Sequence, residues 1–380
     1  MTNRFQLARK DGNARRGSYI TTHGTFETPN FMPVGTQATV KGVDTERLEQ
    51  IGAQIMLVNT YHLWLRPTPR VVRHLGGIHR FAGWNKPILS DSGGFQIFSL
   101  QGIRTLSEKG VEFRSHIDGS KHFLSPEIAI QIQEELGVDI AMVLDECPAG
   151  DLPFEAVEKS LAMTIRWAKR SLEARVNPDT SIFAITQGGV FPELRKRAAE
   201  EIGSLACDGI AIGGLSVGEP KHKMYEVLSY HVAQLPQEKI HYLMGVGTPQ
   251  DIVQAVNEGV DLFDCVMPTR SGRFGRAFVS GEKPYLNIRN AEHAESGETL
   301  DSECRCLACT RYTRGYLHHL FRTDEMLGPQ LLSLHNLAHY QDLMRRIRDA
   351  IDVGAFSVLY KSEMERWKDV MIGRQEATTP

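Results

Sequence analysis

Short runs of apolar and β-branched residues recur along the chain, each closed by Gly, Asp, Asn or Pro. They are NFMPV (30–34), QIMLVN (54–59), PILSD (87–91), IAMVLD (140–145), IFAITQ (182–187), GIAIGG (209–214), HYLMG (241–245) and LFDCV (262–266). Several are apolar throughout rather than alternating, the pattern of strands covered on both faces in a parallel sheet. Helical patterns lie between most of them: Thr45–Ile51, Pro126–Leu136, Glu155–Arg175, Glu193–Leu205, Lys221–Gln234 and Pro249–Glu258. Two begin with a cap followed by proline, Ser125-Pro126 and Thr248-Pro249, and stop at Gly137 and Gly259. Eight strands alternating with helices predict an α/β fold, a (β/α)8 TIM barrel, whose usual size of about 250 residues suits the span 30–290. A doubly wound open sheet is the alternative that the pattern leaves open.

Two departures modify this plan. GVEFRSHI-DG-SKHFL (110–124) reads as a β-hairpin inserted after the third strand, with Asp118-Gly119 as a two-residue turn. From Arg311 the pattern turns helical, in YTRGYLHHLFRTDEML and LLSLHNLAHYQDLMRRIRDAI, which predicts a helical C-terminal subdomain over 296–380 beside a barrel domain over 1–295. The last residues, GRQEATTP (373–380), read as frayed. No apolar run is long enough to span a membrane and no secretory leader is evident, so a cytoplasmic protein is expected.

The net charge of −3 argues against a protein that coats nucleic acid non-specifically. Its distribution is uneven. Residues 304–322 carry Arg305, Arg311, Arg314 and Arg322 without an acid, and 269–289 carry Arg270, Arg273, Arg276, Lys283 and Arg289 against Glu282. The ordinary reading is solvated surface; the sharper one is a local anionic partner.

Candidate chemistry gathers at the strand ends, where a (β/α)8 barrel builds its site. Asp91 ends the third strand, Asp145 the fourth, Gln187 the fifth, Gly213-Gly214 the sixth and Met244-Gly245 the seventh, while Asp264 sits inside the eighth. Each alone reads as a turn former; together they converge on one mouth. Asp264, flanked by apolar residues, must be hydrogen-bonded or reactive, because an unpaired buried charge is costly. Asp91 and Asp264 resemble the carboxylate pair of retaining glycosidases, which suggests chemistry at a sugar C1. Asp145, Gln187 and the Gly213-Gly214 backbone match the edge of a purine, and Phe95 and Met244 suit its faces or else simply pack in the core. Cys304-x-Cys306-x2-Cys309 with His335 further along makes a closed Cys3His set, the composition of a structural zinc site. His318 and His319 compete for the fourth place.

SDSGGFQ (90–96), Asp145-Glu146-Cys147, Gln187-Gly188-Gly189, IGGLSVGEP (212–220), YLMGVGTP (242–249), DLFDCVMPTRSGR (261–273) and the Cys3His set, in this order, resemble the tRNA-guanine transglycosylase family. The resemblance spans nearly the whole chain. It implies a (β/α)8 barrel with a zinc-binding subdomain, and exchange of guanine at the wobble position of tRNAs with a GUN anticodon for a 7-deazaguanine. It implies Asp264 as nucleophile at ribose C1′ and Asp91 as general acid/base. Ser92, Gly93, Gly94, Phe95, Asp145, Gln187, Gly214, Leu215 and Met244 would bind the base. Gly245, Val246, Gly247, Thr248, Pro249, Gln250 and Asp251, with Thr269, Arg270, Ser271, Gly272 and Arg273, match segments that hold RNA.

Val217 and Cys147 resemble the bacterial branch, whose incoming base is 7-aminomethyl-7-deazaguanine. Val217 stands where eukaryotic enzymes carry Gly and would exclude the larger queuine. The family also implies a homodimer. Two other readings remain: a carbohydrate-active barrel, which leaves the cysteines unexplained, and a non-catalytic RNA-binding subunit, which would not need Asp91 and Asp264.

Overall fold

The computed structural model describes residues 4–99 and 104–368. Its centre is eight parallel strands: Asn30–Met32, Met56–Asn59, Ile88–Asp91, Ile140–Met142, Ser181–Thr186, Gly209–Ile212, Ile240–Leu243 and Leu262–Asp264. From the second to the eighth they pair in chain order, and the eighth pairs with the first. A parallel bridge between Val34 and Leu57 joins first to second, with Gly35 N–H on the Leu57 carbonyl at 2.7 Å. The ring therefore closes, which excludes the open sheet. Each predicted run supplies one barrel strand.

The helices follow the expected punctuation. Pro126–Leu136 and Pro249–Glu258 have the bounds read from their caps, with Ser125 and Thr248 side chains accepting from Ile128 and Asp251 N–H. Phe154–Glu173, Pro192–Gly203 and Lys221–His231 shift from expectation by a few residues at their ends.

The inserted hairpin is present but differs in detail. Gly110–Arg114 pairs with Lys121–Leu124, and a third strand, Arg104–Ser107, joins it. The Asp118-Gly119 turn is longer than two residues. Arg114 pairs with Lys121, and the Gly119 N–H bonds the Ser115 carbonyl at 2.9 Å. Two sets of contacts shape the tip: His116 Nδ1 lies 2.7 Å from the Tyr61 hydroxyl of helix Thr60–Leu65, and within the tip the Asp118 carboxylate accepts from Ser120. The predicted fraying at 373–380 lies outside the described residues.

An antiparallel sheet that periodicity did not predict, Phe5–Asp11, Ala14–Thr21 and Gly24–Thr28, closes the floor of the barrel, the end where the strands begin. Its Tyr19 hydroxyl donates to Ser181 Oγ at 2.9 Å, and the ring stands edge-on to Phe183. The floor has a repeating design. Asp139, Asp208 and Asp261 each precede an even-numbered strand and accept the N–H that begins, or nearly begins, the strand before it: Ile88 at 2.9 Å, Ile182 at 2.9 Å and His241 at 2.8 Å. Each also meets basic side chains. His23 and His79 lie 2.8 and 3.0 Å from Asp139, Arg175 lies 2.8 Å from Asp208, and Arg15 lies 3.2 Å from Asp261.

Beyond the eighth strand, helix Met267–Arg273 leads into a small antiparallel pair, Arg276–Phe278 with Tyr285–Asn287. Helices Leu307–Arg311, Arg314–Arg322, Leu327–Val353 and Phe356–Arg366 follow, so the predicted helical C-terminal region is present. A second apolar core gathers here, from Ala277 to Leu332, and contains Cys306 and Cys309. The long helix Leu327–Val353 joins the two cores. His335 lies near its start, while Tyr340 donates to the Gly247 carbonyl at 2.9 Å, Gln341 to Phe31 at 3.0 Å and Arg348 to Pro29 at 2.8 Å. Among the described residues no helix is long and apolar enough to cross a membrane.

Candidate active site at the barrel mouth

Parallel strands deliver their C-terminal residues to one rim. Asp91 and Asp264 end the third and eighth strands, with Asp264 at the strand's last position rather than inside it. Gln187, Gly213 and Met244 directly follow the fifth, sixth and seventh strands, and Asp145 lies in the loop after the fourth.

The Asp91 carboxylate is gripped by neutral donors. Oδ1 accepts from Thr60 N–H at 3.1 Å and Gly93 N–H at 3.2 Å, and Oδ2 from the Asn59 amide. No cation touches it among the described residues. Burial pushes its pKa up to about 7, and the Asp264 charge adds to that push. Asp264 is held on one oxygen only: Oδ1 accepts from the Tyr242 hydroxyl at 2.6 Å and Gly245 N–H at 2.7 Å. Burial raises its pKa too, against both hydrogen bonds. Part of each carboxyl residue still faces the open mouth.

Asp145 and Gln187 form a second unit. Gln187 Nε2 donates to Asp145 Oδ2 at 2.7 Å, and Gln187 Oε1 is buried without a partner. Burial lifts the Asp145 pKa to about 6. Gly214 is required beside them: its φ is +65°, and a Cβ there would meet Gln187 Oε1 at 2.2 Å. Cys147 sits in the same pocket, its thiol pushed up to about 12 by burial and the Asp145 charge. Behind it, fully buried Arg195 binds the Gly189 carbonyl at 2.8 Å and Gly213 at 2.9 Å, and so fixes the glycine backbone. Burial lowers its pKa to about 10. Leu215 is buried, and the Glu219 carboxylate accepts from the N–H groups of Ser216 and Val217 to pin the loop that carries Val217. Ser92 is buried and its hydroxyl accepts from Gly94 N–H at 3.3 Å. Phe95, by contrast, is 55% exposed in the first turn of helix Gly94–Ser99, an aromatic face without a cover. Met244 is half-buried.

The two segments matched to RNA contact divide by exposure. Gly245 is exposed, whereas Val246, Gly247, Pro249, Gln250 and Asp251 are buried. Thr248 and Asp251 cap each other reciprocally, and Asp251 also receives the Tyr225 hydroxyl at 2.6 Å. This segment is therefore built as a rigid helix start. In the second, Thr269, Ser271 and Gly272 face inward; a Cβ on Gly272 would lie 2.6 Å from Ser333 N, so glycine permits the helix contact. Arg270 is exposed, and Arg273 is half-buried with Nη1 unpartnered. Val266 and Phe274, 46% and 68% exposed, stand beside them.

Away from the mouth, ligand atoms of Cys304, Cys306, Cys309 and His335 all lie within 4.8 Å of one another. His335 Nδ1 is 3.2 Å from Cys309 Sγ and 3.6 Å from Cys306 Sγ. Its Nε2 faces the Phe278 carbonyl at 2.6 Å, which turns the Nδ1 lone pair toward the thiols. His318 instead bonds the Ile288 carbonyl at 2.8 Å, so His335 is the fourth member. Four soft and borderline donors converging on one point form a set able to hold a metal ion.

The sequence reading did not single out Asn59, Thr60, Tyr242 or Arg195. Asn59 had a signal, since it ends the second strand as Asp91 ends the third. Tyr242 lay within a quoted motif but read as a strand residue, and nothing in the pattern marked Arg195.

The family model described as queuine tRNA-ribosyltransferase matches residues 10–369. The chain belongs to this family. A queuine tRNA-ribosyltransferase of Dinoroseobacter shibae is 51% identical over 360 residues, covering 94% of this chain and 95% of that relative. One from Francisella tularensis subsp. novicida is 47% identical over 369 residues, covering 96% and 99%. The family is one of glycosyltransferases, and the alternatives of a carbohydrate-active barrel and a non-catalytic subunit fall away.

Proposed function

We propose that this chain exchanges guanine at the wobble position of tRNAs with a GUN anticodon for 7-aminomethyl-7-deazaguanine, through a covalent enzyme–RNA intermediate. The observation that carries the reading is the pair of mouth carboxylates, one held by a single oxygen and the other with its pKa near neutrality. Asp264 attacks ribose C1′ as the C1′–N9 bond breaks, and Asp91 gives the departing guanine its proton. The incoming base returns a proton to Asp91 as its N9 displaces the carboxylate from C1′. A carboxyl titrating near neutrality serves both directions.

Asp145 accepts from the N–H groups of the purine edge, the Gln187 amide and Gly214 N–H meet the opposite side, the Leu215 carbonyl takes the aminomethyl group, and Phe95 and Met244 flank the ring. Val217 restricts the pocket to the smaller base. Arg270, Arg273 and the exposed Phe274 and Val266 offer charge and apolar surface to the RNA, while segment 245–251 positions that surface and the nucleophile. We assign the Cys3His cluster to zinc, which supplies folding energy to the lobe around residues 277–332. A cytoplasmic homodimer completes the proposal.

The test is incorporation of labelled guanine and of 7-aminomethyl-7-deazaguanine into unmodified tRNA, with the enzyme–RNA adduct followed on a denaturing gel. Incorporation of both bases with a tRNA-dependent adduct supports the reading. Absence of exchange from a folded, metal-loaded protein removes it.

A further inference from the structure

The two oxygens of Asp264 are not equivalent. Oδ1 accepts both the Tyr242 hydroxyl, at 2.6 Å, and the Gly245 N–H, at 2.7 Å. Among the described residues Oδ2 accepts no hydrogen bond, and the residue keeps part of its surface open to the mouth. Tyr242 itself is 1% exposed, on the seventh strand next to the one that Asp264 ends, with Tyr242 and Leu262 in register. The phenol cannot follow a moving carboxylate, because Tyr242 is fixed within a buried strand, whereas Gly245 lies in the exposed turn just after it.

We propose that Tyr242 is a positioning residue that makes Oδ2 the attacking oxygen and governs how readily Asp264 leaves C1′ again. The proposal rests on the double-displacement reading above and extends it to the second half of the reaction. When Oδ2 forms its bond to C1′ and guanine departs, Oδ1 becomes the carbonyl oxygen of a neutral ester. When the incoming base displaces the ester, the C1′–Oδ2 electron pair returns to the carboxylate and the charge is shared again with Oδ1. A hydrogen bond to a charged acceptor is stronger than one to a neutral acceptor. The Tyr242 phenol therefore stabilises the free carboxylate over the ester, and it favours breakdown of the adduct relative to its formation. No proton is transferred from Tyr242. Its own acidity is suppressed by burial and by the neighbouring Asp264 charge, which keeps the phenol a donor throughout.

Tyr242→Phe removes the hydroxyl and keeps the ring. The expected result is a larger steady-state fraction of enzyme held as RNA adduct at limiting base, with adduct breakdown slowed by ~10–100-fold and adduct formation changed much less. The acidic limb of the rate–pH profile should move to higher pH, because the carboxylate loses a stabilising donor. A site-specific difluorotyrosine at position 242, a stronger donor of similar size, should change adduct fraction in the opposite direction and guards against a packing effect. An unchanged adduct fraction and pH limb in both variants overturns the proposal and leaves Tyr242 a packing residue. A wild-type enzyme that forms no adduct at all instead removes the double-displacement reading on which it rests.

Discussion

The two ends of the barrel use the same residue for opposite purposes. At the floor, Asp139 is almost completely buried, yet its oxygens receive His23, His79 and the Ile88 N–H, and its pKa is lowered despite the upward push of burial. At the mouth, Asp91 and Asp145 receive only neutral donors, and burial carries them up to about 7 and about 6. Even Asp261, which burial also pushes up, has Arg15 within 3.2 Å. Asp139 and Asp208 at the floor are satisfied by hydrogen bonds and basic side chains of the protein itself, and Asp261 is paired with a buried arginine. Those at the mouth receive only neutral donors and are left short of positive charge, which in the proposed reaction a ribose carbon losing its leaving group and a proton in transit would supply. Burial sets the cost in both places, and the partners decide whether the result is structure or reactivity.

Removing the carboxylate proposed as nucleophile has the largest expected effect. Asp264→Asn should abolish base exchange and the RNA adduct while leaving the melting profile of the protein nearly unchanged; an adduct in the Asn variant would assign the nucleophile elsewhere. Second is Cys306→Ala, which should release the metal and loosen residues 304–340, read by metal analysis and hydrogen exchange, while barrel amides keep their protection.

Asp145→Asn should separate function from stability. Loss of a matched acceptor should weaken guanine and 7-aminomethyl-7-deazaguanine binding by about 1–3 kcal/mol. Its raised pKa means that the folded state holds a proton that the unfolded chain has released between about pH 4 and pH 6. Native stability therefore falls as pH rises through that window, and a neutral amide should recover about 1–2 kcal/mol at pH 7. A denaturant midpoint that rises in this variant checks the sign.

Asp139→Asn should do the reverse with the smallest effect on catalysis. It should cost about 1–3 kcal/mol of stability while exchange at 25 °C is retained. Because the Asp139 pKa is depressed, its contribution is present above about pH 4 and is lost as pH falls through the folded value, so wild type and variant should converge in acid. If Asp139→Asn impaired exchange more than folding, the division between floor and mouth would not hold.

Much of this arrangement was legible beforehand. Fully apolar runs ending in Asp, Gln or Gly marked both the strands and their C-terminal ends, and cap-then-Pro signals set two helices to the residue. The cysteine spacing marked the metal set with His335 as its fourth member, and packing removed His318 as a competitor by binding it to the Ile288 carbonyl. Periodicity missed the sheet at Phe5–Thr28 because its strands are mostly exposed or mixed, as in RKDGNARRG, and their register depends on contacts with the barrel floor. It missed Tyr242 and Arg195 because their roles arise between elements adjacent in space, where a strand hydroxyl or a helix guanidinium meets a partner from another segment. Exposure also recast segment 245–251, whose motif combines the Gly245 grip on Asp264 with a buried helix cap.

The long helix Leu327–Val353 has a consequence for how the protein is made. The first barrel strand is only three residues long, and the carbonyls of Pro29, just before it, and Phe31, within it, are taken by Arg348 and Gln341, contacts that span 319 and 310 residues. On a ribosome these bonds await nearly the whole chain, so the seam where the barrel's beginning meets its end is fastened last. A nascent chain ending before residue 340 contains all eight strands but lacks this fastening, and it presents a ring whose first stave is held only by its neighbours.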